Sequence, residues 1–140
     1  MILVSISLSL VLFGLAIIHF NWAFGGKFGF SEALPTNKIG QKVLNPKKIH
    51  SLIVAILFSS FALFYIFKSD LINGSLPGRI AAYSGWIIPV IFLLRAIGDF
   101  KYVGFFKSIK QSKFAKCDTI YFSPLCLLIA VLGIVIKLMD

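Results

Sequence analysis

Residues 2–24 read ILVSISLSLVLFGLAIIHFNWAF and contain no Lys, Arg, Asp or Glu side chain. A helix of about 20 apolar residues crosses the roughly 30 Å hydrocarbon core of a bilayer, so this stretch predicts a transmembrane helix. The alternating serines at 5–9 resemble a β-strand, but the apolar run continues beyond the length of a strand. Because no basic residue precedes Lys27 and the run exceeds a signal-peptide core, we expect a retained helix.

Three further apolar stretches are long enough to span a membrane, at about residues 51–67, 80–98 and 120–138. Of the 140 residues, 59% are hydrophobic, against about 45–50% in soluble domains. Four β-strands could not close a barrel, and open strand edges are not stable in lipid. The sequence therefore predicts a single-domain, all-α membrane protein whose four transmembrane helices form a small antiparallel bundle.

The basic residues are concentrated in the first loop (about 25–50) and the third loop (about 99–119). The first loop carries Lys27, Lys38, Lys42, Lys47 and Lys48, and the third carries Lys101, Lys107, Lys110, Lys113 and Lys116. The opposite side has only Lys68, Arg79 and Lys137. Since basic loops stay in the cytoplasm, we expect a multi-pass cell-membrane protein with both loops cytoplasmic and both termini outside.

The formal net charge of +9 has two interpretations. A nucleic-acid-binding module would need its basic surface on a soluble fold, so we expect no nucleic-acid partner. Lysines beside apolar helices instead favour anionic lipid headgroups, where each contributes about 1 kcal/mol. Membrane lipids are therefore the expected partners, and a homo-oligomer is possible.

The sequence lacks the common signatures of metal, phosphate and thiol chemistry. Cys117 and Cys126 would lie about 13 Å apart along one helix, too far for a disulfide. There is no CxxC motif, no closely spaced pair of histidines, no glycine-rich phosphate loop after a strand and no GxSxG motif. We expect neither a metal nor a cofactor.

Polar residues gather where the first and third helices end and the fourth begins, all on the predicted cytoplasmic side. Ionisable groups at membrane depth usually pair with each other or line a cavity. We therefore predict a polar pocket at this level. Its candidate residues are His19, Asn21, Trp22, Arg95, Asp99, Asp118 and Tyr121.

Two contacts within this group follow from helical spacing. His19 and Trp22 are three residues apart and share a helix face. Asp99 at the end of a helix opposes the helix dipole, so we expect it to pair with Arg95, four residues earlier. Pro124 would free backbone groups near the same level.

Each candidate also has a structural interpretation. Arg95 could extend to the lipid headgroups, and Trp22 and Tyr121 could belong to the belt of aromatic residues at the membrane surface. Asp118 could cap the fourth helix. His19 could form a hydrogen bond to another helix.

At these residues the chain resembles a bacterial family catalogued as domain of unknown function 3995. The resemblance extends over nearly the whole chain and implies a small four-helix membrane protein, without an activity to carry over. It supports the choice of His19, Trp22, Arg95, Asp99 and Asp118. The matching blocks are His19-x-x-Trp22-x-x-Gly25-Gly26, Ala33-Leu34-Pro35, the stretch from Leu94 to Lys107, Phe114-Ala115-x-x-Asp118-Thr119 and Ser123-Pro124-Leu125-Cys126.

Three functions are compatible with the sequence. The first is a binding protein whose cytoplasmic-face pocket holds a lipid headgroup or small amphiphile. The second is a membrane enzyme acting on a lipid or isoprenoid-like substrate, with His19 as acid/base oriented by Asp99 or Asp118. The third, a small dimeric transporter, is disfavoured because the middle of the membrane carries almost no ionisable group.

Overall fold

The computed structural model describes the whole chain, Met1–Asp140, and consists of four long helices. They are α1 (Ile2–Ala23), α2 (Lys48–Lys68), α3 (Gly78–Ile97) and α4 (Lys113–Leu138). All four are long and apolar enough to cross a membrane, and there is no β-strand. The predicted fold class, an all-α protein with four membrane-spanning helices, is confirmed.

The helices pack as two hairpins, α1 against α2 and α3 against α4, and α1 also contacts α4. One apolar core joins the hairpins and takes side chains from all four helices. Its members are Leu8, Leu12, Phe61, Ala62, Phe64, Tyr65, Ile88, Phe92, Ile129, Ala130 and Ile136.

Small residues allow the helices to approach closely, as is common in membrane bundles. The Ser9 hydroxyl donates to the Ala62 carbonyl across the first hairpin at 2.8 Å. On α4, a Cβ at Gly133 would lie only 2.7 Å from the Tyr65 hydroxyl and from Pro89 Cγ. Gly133 therefore makes room for side chains of α2 and α3 together.

Helix α4 begins seven residues before the predicted start at 120, since the chain is helical from Lys113. The Ser112 hydroxyl accepts a hydrogen bond from the Ala115 N–H at 3.0 Å and so caps the N-terminus of helix α4. Hydropathy does not detect this first turn because Lys113 and Lys116 make it polar. Helices α2 and α3 also begin two or three residues earlier than predicted, at Lys48 and Gly78.

A π-helical segment, Asp118–Phe122, interrupts α4 between the α-helical parts Lys113–Cys117 and Ser123–Leu138. The Ser123 N–H donates to the Asp118 carbonyl, five residues back. Pro124 has no N–H and cannot make the next regular helical bond. Such segments often occur at functional sites.

The first and third loops meet at one end of the bundle. In the structure they are the stretches between α1 and α2 and between α3 and α4. Lys113 Nζ lies 2.8 Å from Glu32 Oε1, and this hydrogen bond lowers the pKa of Glu32 to about 2. At the other end, Lys68 pairs with Asp140. The lysines of both loops are therefore on the same side of the molecule.

Candidate functional site

Asp118 is fully buried in the π-helical segment of α4. Its Oδ1 accepts a hydrogen bond from Arg95 Nη2 on α3 at 2.9 Å, and its Oδ2 accepts one from the Gly104 N–H at 2.8 Å. A buried carboxylate is stable only with such partners. Asp118 therefore connects α3, α4 and the third loop.

Lys107 supplies a second cation to the same carboxylate. Its side chain is almost fully buried, with Nζ 3.2 Å from Asp118 Oδ2. Nζ also donates to the Gly104 carbonyl at 2.9 Å and to Thr119 Oγ1 at 2.5 Å. Lys107 was not among the predicted site residues, because in the sequence it is one of five lysines in the third loop. The only signal was its position at the end of the block shared with the family.

Two glycines let the third loop fold back onto the end of α3. Gly98 and Gly104 have φ of 84° and 90°, a region that other residues rarely adopt. A Cβ on Gly98 would collide with the Val103 carbonyl, and one on Gly104 with the Ile97 carbonyl. The Phe105 N–H then donates to the Ala96 carbonyl at 2.8 Å. This turn places Gly104 and Lys107 in contact with Asp118.

The predicted pairing of Arg95 with Asp99 is wrong. Asp99 Oδ1 accepts hydrogen bonds from the backbone N–H groups of Lys101, Tyr102 and Val103 at 3.0, 2.8 and 3.0 Å. Desolvation alone would raise the pKa of Asp99, but these three bonds together lower it. Because the chain turns at Gly98, the carboxylate stabilises its own loop and needs no cation from the helix.

The structural interpretation of Asp118 as a helix cap is also wrong. Helix α4 begins at Lys113 and is capped by Ser112, so Asp118 lies inside the helix. Its carboxylate points to Arg95 and the third loop rather than to the first turn of its own helix.

His19, Asn21 and Trp22 form a second group, at the end of α1. The rings of His19 and Trp22 are 4.7 Å apart between centroids, which confirms that they share a face. Trp22 Nε1 donates to the Phe28 carbonyl at 2.6 Å, and Asn21 Oδ1 accepts from the Phe28 N–H at 3.3 Å. This group holds the start of the first loop against α1.

His19 forms its hydrogen bond within its own helix, not with another helix. Its Nδ1 lies 2.8 Å from the Leu15 carbonyl oxygen, and its ring contacts Phe58 of α2 edge-on at 5.2 Å. The Phe58 ring in turn stacks on Phe92 of α3 at 5.7 Å. Aromatic rings thus lie between His19 and the helix that carries Arg95.

The structure therefore divides the seven predicted residues. Arg95 and Asp118 come together, and no hydrogen bond or ion pair joins them to the group on α1. Asp99 is engaged with its own loop. Tyr121 is 65% exposed on α4 and forms no side-chain hydrogen bond. No group of three or more His, Cys, Asp or Glu side chains is placed to hold a metal ion.

A cleft of about 750 Å³ opens between the first and third loops. Its lining contains two lysines and only one hydrophobic residue, and none of the seven predicted residues. The lining residues are Thr36, Asn37, Lys38, Gly40, Ser108, Ile109, Lys110, Gln111 and Ser112. A smaller cavity of about 330 Å³ shares Asn37, Lys38 and Ile109 and adds Ile39, Lys101 and Tyr102. No acidic residue lines either space.

Comparison with known proteins gives a family but no characterised relative. The model of the family described as "Protein of unknown function (DUF3995)" matches residues 12–133. This range covers the second half of α1, all of α2 and α3, and most of α4. No curated protein and no solved structure matches the chain.

Proposed function

The chain belongs to this family of unknown function, and we propose that it is a membrane protein that binds an anionic amphiphile, with the charged head held in the cleft between the first and third loops. The single observation that carries the proposal is the chemistry of that lining. Lys38 stands on one wall and Lys110 on the other, and neither forms an ion pair within the protein.

The remaining groups in the cleft suit a phosphate or carboxylate. The Thr36 hydroxyl can donate a hydrogen bond to an oxygen atom, and so can the second N–H of the Asn37 amide, whose first N–H donates to Gln41 Oε1. Hydrogen bonds between a cation and an anionic oxygen are roughly twice as strong as neutral ones. The absence of a lining carboxylate leaves the cleft positive, so it favours anions over neutral or cationic heads.

The charge distribution supports a location at the cytoplasmic leaflet of the cell membrane. The lysine-rich loops form one end of the bundle, and basic loops are retained in the cytoplasm. We propose that both termini lie outside and that the cleft faces the leaflet in which anionic lipids attract basic segments. A head in the cleft would then leave its apolar tail in the adjoining lipid.

In this proposal the charged cluster around Asp118 supports the cleft rather than touching the ligand. Arg95, Asp118 and Lys107 anchor the third loop directly before the wall formed by residues 108–112. Acid–base catalysis by His19 is less well supported, because its Nδ1 faces a backbone carbonyl and both candidate carboxylates bind other groups.

A comparison of two double variants with equal charge tests the proposal. In K38Q/K110Q both cleft lysines are neutralised, whereas K42Q/K116Q removes two exposed lysines that lie outside the cleft. Each protein is purified in a neutral detergent, and its melting temperature is measured with added phosphatidylglycerol or phosphatidylcholine. We expect phosphatidylglycerol to raise the melting temperature of wild type and of K42Q/K116Q. In K38Q/K110Q the rise in melting temperature should be smaller by at least half.

Equal losses in the two double variants would reject the cleft as the binding site, since they would reflect net charge alone. A third arm adds inorganic phosphate in place of lipid. If phosphate reproduces the whole shift, the ligand is a free anion and the amphiphile is rejected. If only the lipid acts, the apolar tail contributes to binding as proposed.

A further inference from the structure

The third loop returns to the level of the membrane helices after α3 ends. The Phe105 N–H bonds to the carbonyl of Ala96, which lies in the last turn of α3. Gly104 contacts Gly98 and binds Asp118 within α4. Residues 100–106 therefore run beside the helix ends instead of extending away from them.

Most backbone N–H groups of this segment are bonded within the protein. Five consecutive N–H groups, from Lys101 to Phe105, all have acceptors within the protein. Asp99 accepts three of them, Asp118 the fourth and Ala96 the fifth. Irregular backbone within the hydrocarbon itself must be buried in protein or line a water-filled cavity, so a lipid-exposed stretch such as this one suits the headgroup boundary rather than the hydrocarbon core.

The outer edge of the segment is aromatic. Phe100, Phe105 and Phe106 are 63%, 39% and 63% exposed, and the rings of Phe100 and Phe106 lie 6.3 Å apart. Phe100 has φ of 64°, which is unfavourable for a bulky side chain. We call these three residues the aromatic edge. In water such an edge would be costly, and nothing else in the protein covers it.

Of the three charged groups in or next to the segment, two bind within the protein, and Lys101 lines the smaller cavity between the loops. Lys107 is buried against Asp118, and the Asp99 carboxylate binds the backbone. The Lys101 ammonium lies 5.1 Å from the centre of the Tyr102 ring. The edge thus combines exposed rings with a run of backbone N–H groups, from Lys101 to Phe105, that bind acceptors within the protein.

From these observations we infer that the third loop lies against the membrane surface and that its aromatic edge inserts into the boundary between headgroups and acyl chains. The partner is the lipid surface itself, next to the end of α3. The ends of the loop are fixed there by two membrane helices, and Phe side chains of surface-bound amphipathic segments insert at that depth. This inference does not depend on ligand binding in the cleft.

The test compares the accessibility of single cysteines in bilayers. Cys117 and Cys126 are first replaced, by Ser and Ala, and the protein is reconstituted into nanodiscs. Single variants F100C and F106C are then compared with two references. K110C reports the water-facing cleft, and L94C reports the lipid-facing surface of α3, where Leu94 is exposed. The reagent is a membrane-impermeant maleimide, and nitroxide labels at the same positions report exposure to oxygen and to aqueous nickel.

We expect F100C and F106C to react at least tenfold more slowly than K110C, and their nitroxides to resemble that of L94C. Reaction at the rate of K110C, with equal exposure to nickel, would overturn the inference. Should the cysteine-free protein not fold, F106W and K110W in the otherwise natural chain replace it, next to the native Trp22 and Trp86. Brominated lipids should then quench the added fluorescence of F106W but not of K110W, and equal quenching would also overturn the inference.

Discussion

Asp118 is the only buried acidic side chain, and both α3 and the third loop bind to it. Arg95 binds its Oδ1, and the Gly104 N–H and Lys107 bind its Oδ2. Removing one member of a buried charge pair costs more than the pair contributes, because the partner is left charged and unpaired. Among single side chains, we therefore expect substitution of the Asp118 carboxylate to lower the stability of the fold most.

We predict that Asp118→Asn destabilises the protein by about 3–5 kcal/mol, the usual cost of breaking a buried ion pair. The amide keeps the shape of the side chain but leaves Arg95 and Lys107 without an anion. Thermal unfolding in detergent, followed by circular dichroism, measures the effect.

Asp140→Asn is the matched control, since its ion pair with Lys68 lies at the surface. Surface pairs contribute about 0–1 kcal/mol, so the control should melt close to wild type. Similar melting of the two variants would show that the buried cluster does not stabilise the fold.

At the scale of elements, the third loop is organised by its glycines and α4 by its π-helical segment. Gly98 and Gly104 allow backbone to touch backbone, which brings Lys107 and Gly104 to Asp118. The π-helical segment holds Asp118 and Thr119, the two side chains of α4 that bind Lys107. The loop and the helix irregularity therefore serve the same cluster.

Gly104→Ala should separate the third loop from α3 and α4. The new Cβ would collide with the Ile97 carbonyl at a positive φ, and such strain costs about 1–3 kcal/mol before the collision is counted. We expect a lower melting temperature and faster proteolytic cleavage within residues 98–112, measured by limited proteolysis and mass spectrometry.

Gly29→Ala separates the two causes, because Gly29 also has a positive φ of 63° but nothing lies within 4 Å of its added Cβ. This control should lose only the conformational part of the stability and leave the third loop resistant. If both alanine variants behaved alike, the close contact between Gly98 and Gly104 would not be what holds the loop.

At the scale of the whole molecule, the two hairpins share an apolar core and bring their basic loops to one end. The Glu32–Lys113 pair and the cleft between the loops both lie at that end. The opposite end carries the Lys68–Asp140 pair and the short second loop. This asymmetry of charge is what sets the proposed orientation in the membrane.

Cysteine labelling in intact cells tests the orientation. In the cysteine-free protein, K42C and K110C should stay unlabelled by an impermeant maleimide until the cells are permeabilised, whereas N73C in the second loop should react from outside. The reverse pattern would invert the orientation, and labelling of K42C and K110C from opposite sides would contradict the bundle itself.

Contacts between residues close in the sequence could be predicted, whereas most of the candidate site could not. His19 and Trp22 were correctly placed together because helical spacing is a local property. Arg95 was assigned to the nearest acid, Asp99, whereas its partner lies 23 positions away across a loop. Lys107 and the cleft depend on how that loop folds, which hydropathy does not describe.

The four spans and the gathering of lysines at one end follow from residue order alone, because bilayer thickness and the alternation of helix direction act on each segment separately. Which carboxylate Arg95 binds, the burial of Lys107 and the position of the cleft depend on how the chain folds. Those results come from backbone contacts at Gly98 and Gly104 and from the cost of burying charge, which is settled by all neighbours at once.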